Sequence, residues 1–447
     1  MASNARELAF KILVDINKER AYSNIEINKL LVDKIDSRDQ GLIREIVYGV
    51  LENRLYIDHV IAQVSKIRLN RIHFNILEIL RIGIYQIMFM DKIPDRAAVD
   101  ESVKLATKYG HKGTVGYVNG VLRNIVRRKE TFEQINVKDQ IEYISIKYSH
   151  PLYLVKRWVH EFGLQFTIDL CKANNQRPAL NIRVNTLKTS RDRLKKKLEE
   201  KGFLCVVGNY ANDCLIIENP QTITETEEYK EGLFFIQDES SMLVAQIMDP
   251  DEGSTILDLC AAPGGKSTHL AQKMNNKGQI LSRDIHQHKI KLINNNAKRL
   301  GIEIIRASIF DALKRDKELL KKVDYCLLDA PCSGFGIIRR KPEIKWNRKE
   351  KDIKELSKLQ EKMLDVAKDY IKVGGSLIYS TCTIEKEENM EVINKFLKNN
   401  PHFSLANISD KIENKENLET LDKGYIQLYP NIHGTDGFFI AKMIRER

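Results

Sequence analysis

Apolar residues recur at helical spacing through the first third of the chain. Between residues 5 and 16 they are Leu8, Ala9, Ile12, Leu13 and Ile16, which share one helix face. Similar stripes run through residues 41–51, 55–64, 74–90, 97–109 and 115–126, and Pro94 breaks the pattern between two of them. Strand-like alternation is lacking, so residues 2 to 129 read as all-helical, with the stripes as core.

The pattern changes further on. Residues 130–162 read as a linker and a helical stretch, with a break at His150-Pro151. Residues 179–235 read as a small α+β unit: NIRVNT (181–186) as a strand, 191–201 as a basic helix, then short strands in CVVGNY and CLIIE. Beyond 236, apolar runs alternate with helical patterns. Strands are predicted at 255–259, 279–283, 302–306, 323–329 and 375–380, and helices at 266–274, 287–300, 352–372 and 387–398. That rhythm argues for a doubly wound parallel sheet, with 437–444 as a last strand. The expected domains are 1–130, 131–235 and 236–447.

Composition narrows the class. Hydrophobic residues make up 43% and charged residues 30% of 447, as in soluble globular proteins. No run is long enough to cross a membrane, and the first residues lack a signal-peptide core, so a cytoplasmic protein without a membrane partner is expected. A net charge of +11 suits a nucleic-acid partner. The seven cysteines lack CxxC spacing, which argues against a disulfide framework or a zinc site; no metal is expected. Cys171, Cys205, Cys214 and Cys326 read as small buried hydrophobes, and Cys260 as packing in a turn. Cys332 and Cys382 need another explanation.

The most informative stretch is ILDLCAAPGGKSTHL (256–270), an apolar strand, a Gly/Pro turn and a helix. Gly264 and Gly265 let the backbone approach a ligand, and the helix start offers free N–H groups. Asp258 stands at the strand end, where open α/β sheets bind ligands. A nucleotide-like cofactor is expected here. Gly265-Lys266-Ser267 mimics the end of a P-loop, but Cys260 stands where that loop requires its first glycine. The dinucleotide GxGxxG pattern is also missing.

DLCAAPGGK, LLDAPCSGFG (327–336) and YSTCT (379–383), in this order, resemble the S-adenosylmethionine loop and the two cysteine motifs of RNA cytosine-5 methyltransferases. The N-terminal segment is similar to the NusB-type antitermination-factor domain, in ILRIGIYQI, AVDESVKLATKYG and GYVNGVLRNIVRRK. Together they resemble the branch that methylates small-subunit ribosomal RNA. The resemblance implies a multidomain fold: an all-α NusB-like domain, a small RRM-like α+β subdomain and a Rossmann-like class I methyltransferase domain. It implies RNA as partner, not DNA, and a monomer. A transfer-RNA cytosine-5 methyltransferase and a non-catalytic RNA-binding or antitermination factor are the alternatives.

S-adenosylmethionine has three parts to hold. Amides around Ala262, Pro263, Gly264 and Gly265 suit its carboxylate, and Asp258 its ammonium; Cys260 and Ala261 complete the loop. Asp284 is placed for the ribose diol. Asp311 is the candidate acceptor for the adenine amino group, with a helix-start acid as the other reading. Lys266 lies near either the base or the cofactor carboxylate, and Asp329 near both.

Carbon 5 of cytosine is a poor nucleophile until a thiolate adds at carbon 6, and cysteine suits that task. By resemblance, Cys382 is the nucleophile and Cys332 the residue that helps release the product. DNA cytosine-5 methyltransferases use the Pro-Cys cysteine and lack the second, so Thr381-Cys382 favours RNA. Asp329 would bond near N3 of the ring. Several segments are candidates for holding RNA: Arg123, Arg127, Arg128 and Lys129; Tyr148 to Trp158 with Lys156 and Arg157; and Arg339, Arg340, Lys341, Lys345 and Arg348 around Trp346.

Overall fold

The computed structural model describes residues 5–19, 23–30, 35–219 and 222–447. The chain divides into two units, Met1–Gln176 with Ile338–Lys349, and Arg177–Ile337 with Glu350–Arg447.

The first unit is helical: Ala5–Glu19, Ser23–Leu30, Ser37–Glu52, Arg54–Val64, Phe74–Phe89, Asp95–Tyr109 and Lys112–Arg127, then Gln140–Lys147, Leu152–Phe162 and Leu164–Asn174. Helix Phe74–Phe89 is apolar nearly all round and buries Ile76, Ile79, Leu80, Ile82, Ile84 and Ile87, as a central helix must. Residues 338–349 belong to this unit and correct an expectation. Lys345 is only 1% exposed, and its Nζ donates to the Glu52 carbonyl at 3.0 Å. Trp346 Nε1 donates to the Leu51 carbonyl at 2.8 Å, with the Arg54 guanidinium over its ring. Burial pulls the Lys345 ammonium down to about 7. These two side chains pack the helical unit and do not present themselves to an RNA strand. Trp158 is likewise buried, edge-on to His150 at 5.7 Å, so packing accounts for it.

The second unit carries two sheets. The small one has β1 (Leu180–Val184), β2 (Cys205–Val207), β3 (Cys214–Ile217) and β4 (Phe234–Ile236), in the antiparallel order β2-β3-β1-β4. Helix Arg191–Glu199 buries Leu194 and Leu198 against it and leaves Arg193, Lys196 and Lys197 in solvent. The large sheet has β5 (Thr255–Asp258), β6 (Gln279–Asp284), β7 (Ile305–Ile309), β8 (Val323–Asp329), β9 (Ile371–Thr381), β10 (Phe403–Leu405), β11 (Tyr425–Leu428) and β12 (Phe438–Arg445). Its order is β10-β12-β9-β8-β5-β6-β7, with β11 also paired to β12. Strands β5 to β9 run parallel, and β12 runs antiparallel to β9. From β5 the chain winds outward through β6 and β7, then returns to β8 on the other flank. The order therefore reverses between β5 and β8, whose ends are Asp258 and Asp329. Such a switch point opens a crevice at the carboxyl ends of the strands.

Several predicted boundaries shift. The strand placed at 302–306 lies at Ile305–Ile309 because Gly301, at φ 73°, ends the preceding helix and Ile302 bonds back to Ala297. The helix placed at 352–372 spans Glu350–Ala367, and the long β9 starts at Ile371. Strands β10 and β11 are short and were not anticipated.

Candidate active site

The site is assembled at the carboxyl ends of β5, β6, β8 and β9. After β5 the chain turns through residues 259–264 into helix Gly265–Lys273. Gly264 adopts φ 99°, a conformation that disfavours any side chain, and a Cβ there would press on Ile293 Cα at 3.2 Å. The turn is tied down by backbone bonds, Ala261 N to Arg283 O at 2.8 Å and Gly264 N to Ala261 O at 2.7 Å. Cys260 is half-buried, and burial raises its thiol beyond the nucleophilic range.

Asp258 is fully buried. Its Oδ2 accepts from Ser267 Oγ at 2.6 Å, and Ser282 Oγ donates to Ser267 in turn. Its Oδ1 has no hydrogen-bond partner among the described residues. Burial pushes this carboxyl up to about 7. Asp284 ends β6, nearly buried, and accepts from His286 N at 3.1 Å. The Phe310 amide bonds to the Asp284 carbonyl at 3.1 Å, which brings the loop of Asp311 to this strand end. Asp311 itself accepts from Leu313 N at 3.0 Å in a turn, and no helix starts there, so the helix-start reading does not hold.

On the other side of the switch point, Lys266 Nζ donates to Asp329 Oδ2 at 2.7 Å, and Ser380 Oγ donates to Asp329 Oδ1 at 2.7 Å. Lys266 also lies over the Phe438 ring. The two cysteines end neighbouring parallel strands, and their Sγ atoms are 3.3 Å apart. The Cys382 sulfur and burial together hold the Cys332 thiol well above the usual range. Cys382 is the more exposed of the pair. All the predicted site residues thus fall on one rim of one sheet.

Sequence reasoning missed four contributors. Arg183, fully buried on β1, donates to the Gly265 carbonyl, to Gln237 Oε1 and to Thr268 Oγ1, which braces the cofactor loop from the small sheet. Its signal was a charge at the buried phase of a strand. Glu388 and Asn389, with Gln360 of helix Glu350–Ala367, hold the cysteine turns, and nothing local in the sequence marks them.

The loop fits S-adenosylmethionine. A glycine turn closed to side chains, a helix start behind it, an unsatisfied buried carboxylate oxygen and a second acid ending the next strand are the groups that a zwitterionic amino acid and a ribose require. Among the described residues, no cluster could hold a metal ion and no helix is long and apolar enough to cross a membrane.

Strand order and cofactor loop together define a methyltransferase. Residues 245–444 match the family model described as 16S rRNA methyltransferase RsmB/F, residues 3–127 that of the NusB family, and residues 150–224 the ferredoxin-like domain of RsmF/B-like methyltransferases. The chain is 37% identical over 444 residues to the probable ribosomal RNA small subunit methyltransferase B of Bacillus subtilis (strain 168), covering 99% of this chain and 98% of that protein. It is 34% identical over 445 residues to the protein of the same name from Synechocystis, covering 98% and 99%. The crystal structure of PH0851 superposes with a TM-score of 0.83 at 29% identity, covering 99% of this chain and 98% of the other. The chain belongs to the RsmB/F family of S-adenosylmethionine-dependent methyltransferases.

Proposed function

We propose that the chain transfers a methyl group from S-adenosylmethionine to carbon 5 of a cytosine in 16S ribosomal RNA, through a covalent adduct between Cys382 and carbon 6. The carrying observation is the pair of thiols 3.3 Å apart at adjacent strand ends, beside the Lys266–Asp329 pair. The relatives named for small-subunit ribosomal RNA align with nearly the whole chain, helical unit included, which favours that substrate over transfer RNA.

The cofactor, when bound, supplies a methyl group on a positively charged sulfur. Asp258, the 260–266 loop, Asp284 and Asp311 orient it. The target base leaves its stack and enters the crevice at the carboxyl ends of β5 and β8, beside the two thiols. The Cys382 thiolate forms a bond to carbon 6, and the displaced π electrons make carbon 5 nucleophilic. Asp329, held from two sides, accepts a hydrogen bond from the 4-amino group beside N3 and so orients the base. Once carbon 5 carries the methyl group, a solvent water acting as base takes its proton. The freed electron pair restores the ring double bond and expels Cys382 as thiolate. The protonated Cys332 thiol, 3.3 Å away, donates a hydrogen bond to that leaving sulfur.

The test is nucleoside mass spectrometry of unmodified small-subunit RNA, free and in assembled particles, after incubation with enzyme and cofactor. 5-Methylcytidine should form with the wild type and be lost in Cys382→Ala. Formation at an undiminished rate in Cys382→Ala, or in transfer RNA alone, contradicts the proposal. Failure to bind the cofactor would favour a binding factor instead.

A further inference from the structure

Two adjacent side chains lie behind the cysteine turns, and the reaction sketched above uses neither. Glu388 and Asn389 are both buried, and Tyr379 OH anchors their loop to β9 by donating to the Glu388 carbonyl at 2.6 Å. Glu388 Oε2 accepts from Ser333 N at 2.8 Å and from Gln360 Nε2 at 3.0 Å. Gln360 Nε2 also donates to the Pro331 carbonyl at 3.0 Å. The turn that carries Cys332 is therefore gripped on both sides of the cysteine. Asn389 grips the other turn: its Oδ1 accepts from Thr381 Oγ1 at 2.6 Å, and its Nδ2 donates to the Thr383 carbonyl at 3.0 Å. The two turns are cross-linked by Ser333 Oγ with Thr383 Oγ1 at 2.8 Å and by Gly336 N to Cys382 O at 3.0 Å.

We infer that Glu388 and Asn389 are positioning residues of opposite consequence: Glu388 fixes the thiol that serves release, and Asn389 fixes the thiol that attacks. The inference rests on the cysteine roles proposed above. Neither residue touches the reacting atoms, and each acts through one turn. Burial pushes the Glu388 carboxyl up to about 7, so at neutral pH it carries less negative charge than an ordinary carboxylate. A merely structural role would lower both halves of the reaction together. A positioning role separates them, because displacing a reacting group by about 1 Å costs on the order of 100-fold in its own step.

The experiment is a denaturing gel of full-length enzyme after incubation with cofactor and small-subunit RNA, run for wild type, Cys332→Ala, Glu388→Ala, Glu388→Gln, Gln360→Leu and the double variant Cys332→Ala, Asn389→Ala. Cofactor affinity and melting temperature are recorded for each. Glu388→Ala should accumulate the covalent protein–RNA band at least about tenfold above wild type, as Cys332→Ala should. Glu388→Gln, which keeps an acceptor for Ser333 N–H, should recover most of the turnover. Asn389→Ala placed on Cys332→Ala should reduce the band by about tenfold or more. If Glu388→Ala is too unstable, Gln360→Leu loosens the same turn from the other side and should also raise the band. The inference is overturned if Cys332→Ala traps RNA while neither Glu388→Ala nor Gln360→Leu does, and the cysteine roles then stand. If Cys332→Ala traps nothing while the wild type methylates, those roles fall and the inference falls with them.

Discussion

Lys266 Nζ donates to Asp329 Oδ2 over 2.7 Å, which joins the first turn after the glycine loop to the end of β8. One residue belongs to the cofactor loop and the other to the Pro-Cys strand, so the pair spans the switch point. Ser380 adds a second bond to the same carboxylate. A carboxylate held this way can act on the base without leaving its place. Asp329→Ala should therefore lower the single-turnover methylation rate by about 100-fold or more, with cofactor affinity changed much less. Rapid-quench kinetics beside a cofactor titration separate the two. An unchanged rate would remove Asp329 from the reaction.

Arg183 is a buried cation whose hydrogen-bond partners are carbonyl and hydroxyl oxygens, and burial pulls its guanidinium down to about 9. It carries the geometry of the small sheet to the cofactor loop. Replacing Arg183 with Met leaves the Gly265 carbonyl without that donor. The expected cost is about 2–3 kcal/mol of stability, together with weaker cofactor binding. Urea unfolding and calorimetry check both, and binding that stays at wild-type strength would confine Arg183 to a structural role.

His269, one turn beyond Gly265 in helix Gly265–Lys273, meets Asp213 at 3.0 Å. Burial depresses His269 to about 4, with the Arg183 charge as the next cause. A buried neutral imidazole gives its full stability above pH 6.5. That stability is lost as pH falls from 6.5 through 4, because the unfolded chain takes up the proton first. The loss is on the order of 3 kcal/mol for a shift of this size. His269→Gln should flatten the stability profile between pH 6.5 and 4 relative to wild type. Parallel profiles would contradict the assignment.

The strand-end acids and both cysteines were legible because they sit in motifs that fix several residue types at once, and the strand–turn–helix around Gly264 and Gly265 announces its own geometry. Arg183, Glu388 and Asn389 were not. Their partners lie on other elements, and nothing local distinguishes a clamp from a solvated polar residue. Lys345 misled for a related reason. In sequence it belongs to a basic loop, yet its long aliphatic stem lets the ammonium reach a main-chain carbonyl inside the helical unit. The N-terminal helical stripes were legible from periodicity alone, whereas β10 and β11 were too short to show a period.

The most direct measurement is the fate of RNA on Cys332→Ala. In the proposed reaction Cys382 bonds to carbon 6 and Cys332 assists its departure. With cofactor and small-subunit RNA, Cys332→Ala should give a protein–RNA band that survives a denaturing gel and disappears in Cys332→Ala, Cys382→Ala. Sequencing the attached RNA would then identify the target cytosine. A wild type that methylates RNA, beside a Cys332→Ala variant that turns over without any trapped adduct, would contradict the roles given to the two thiols.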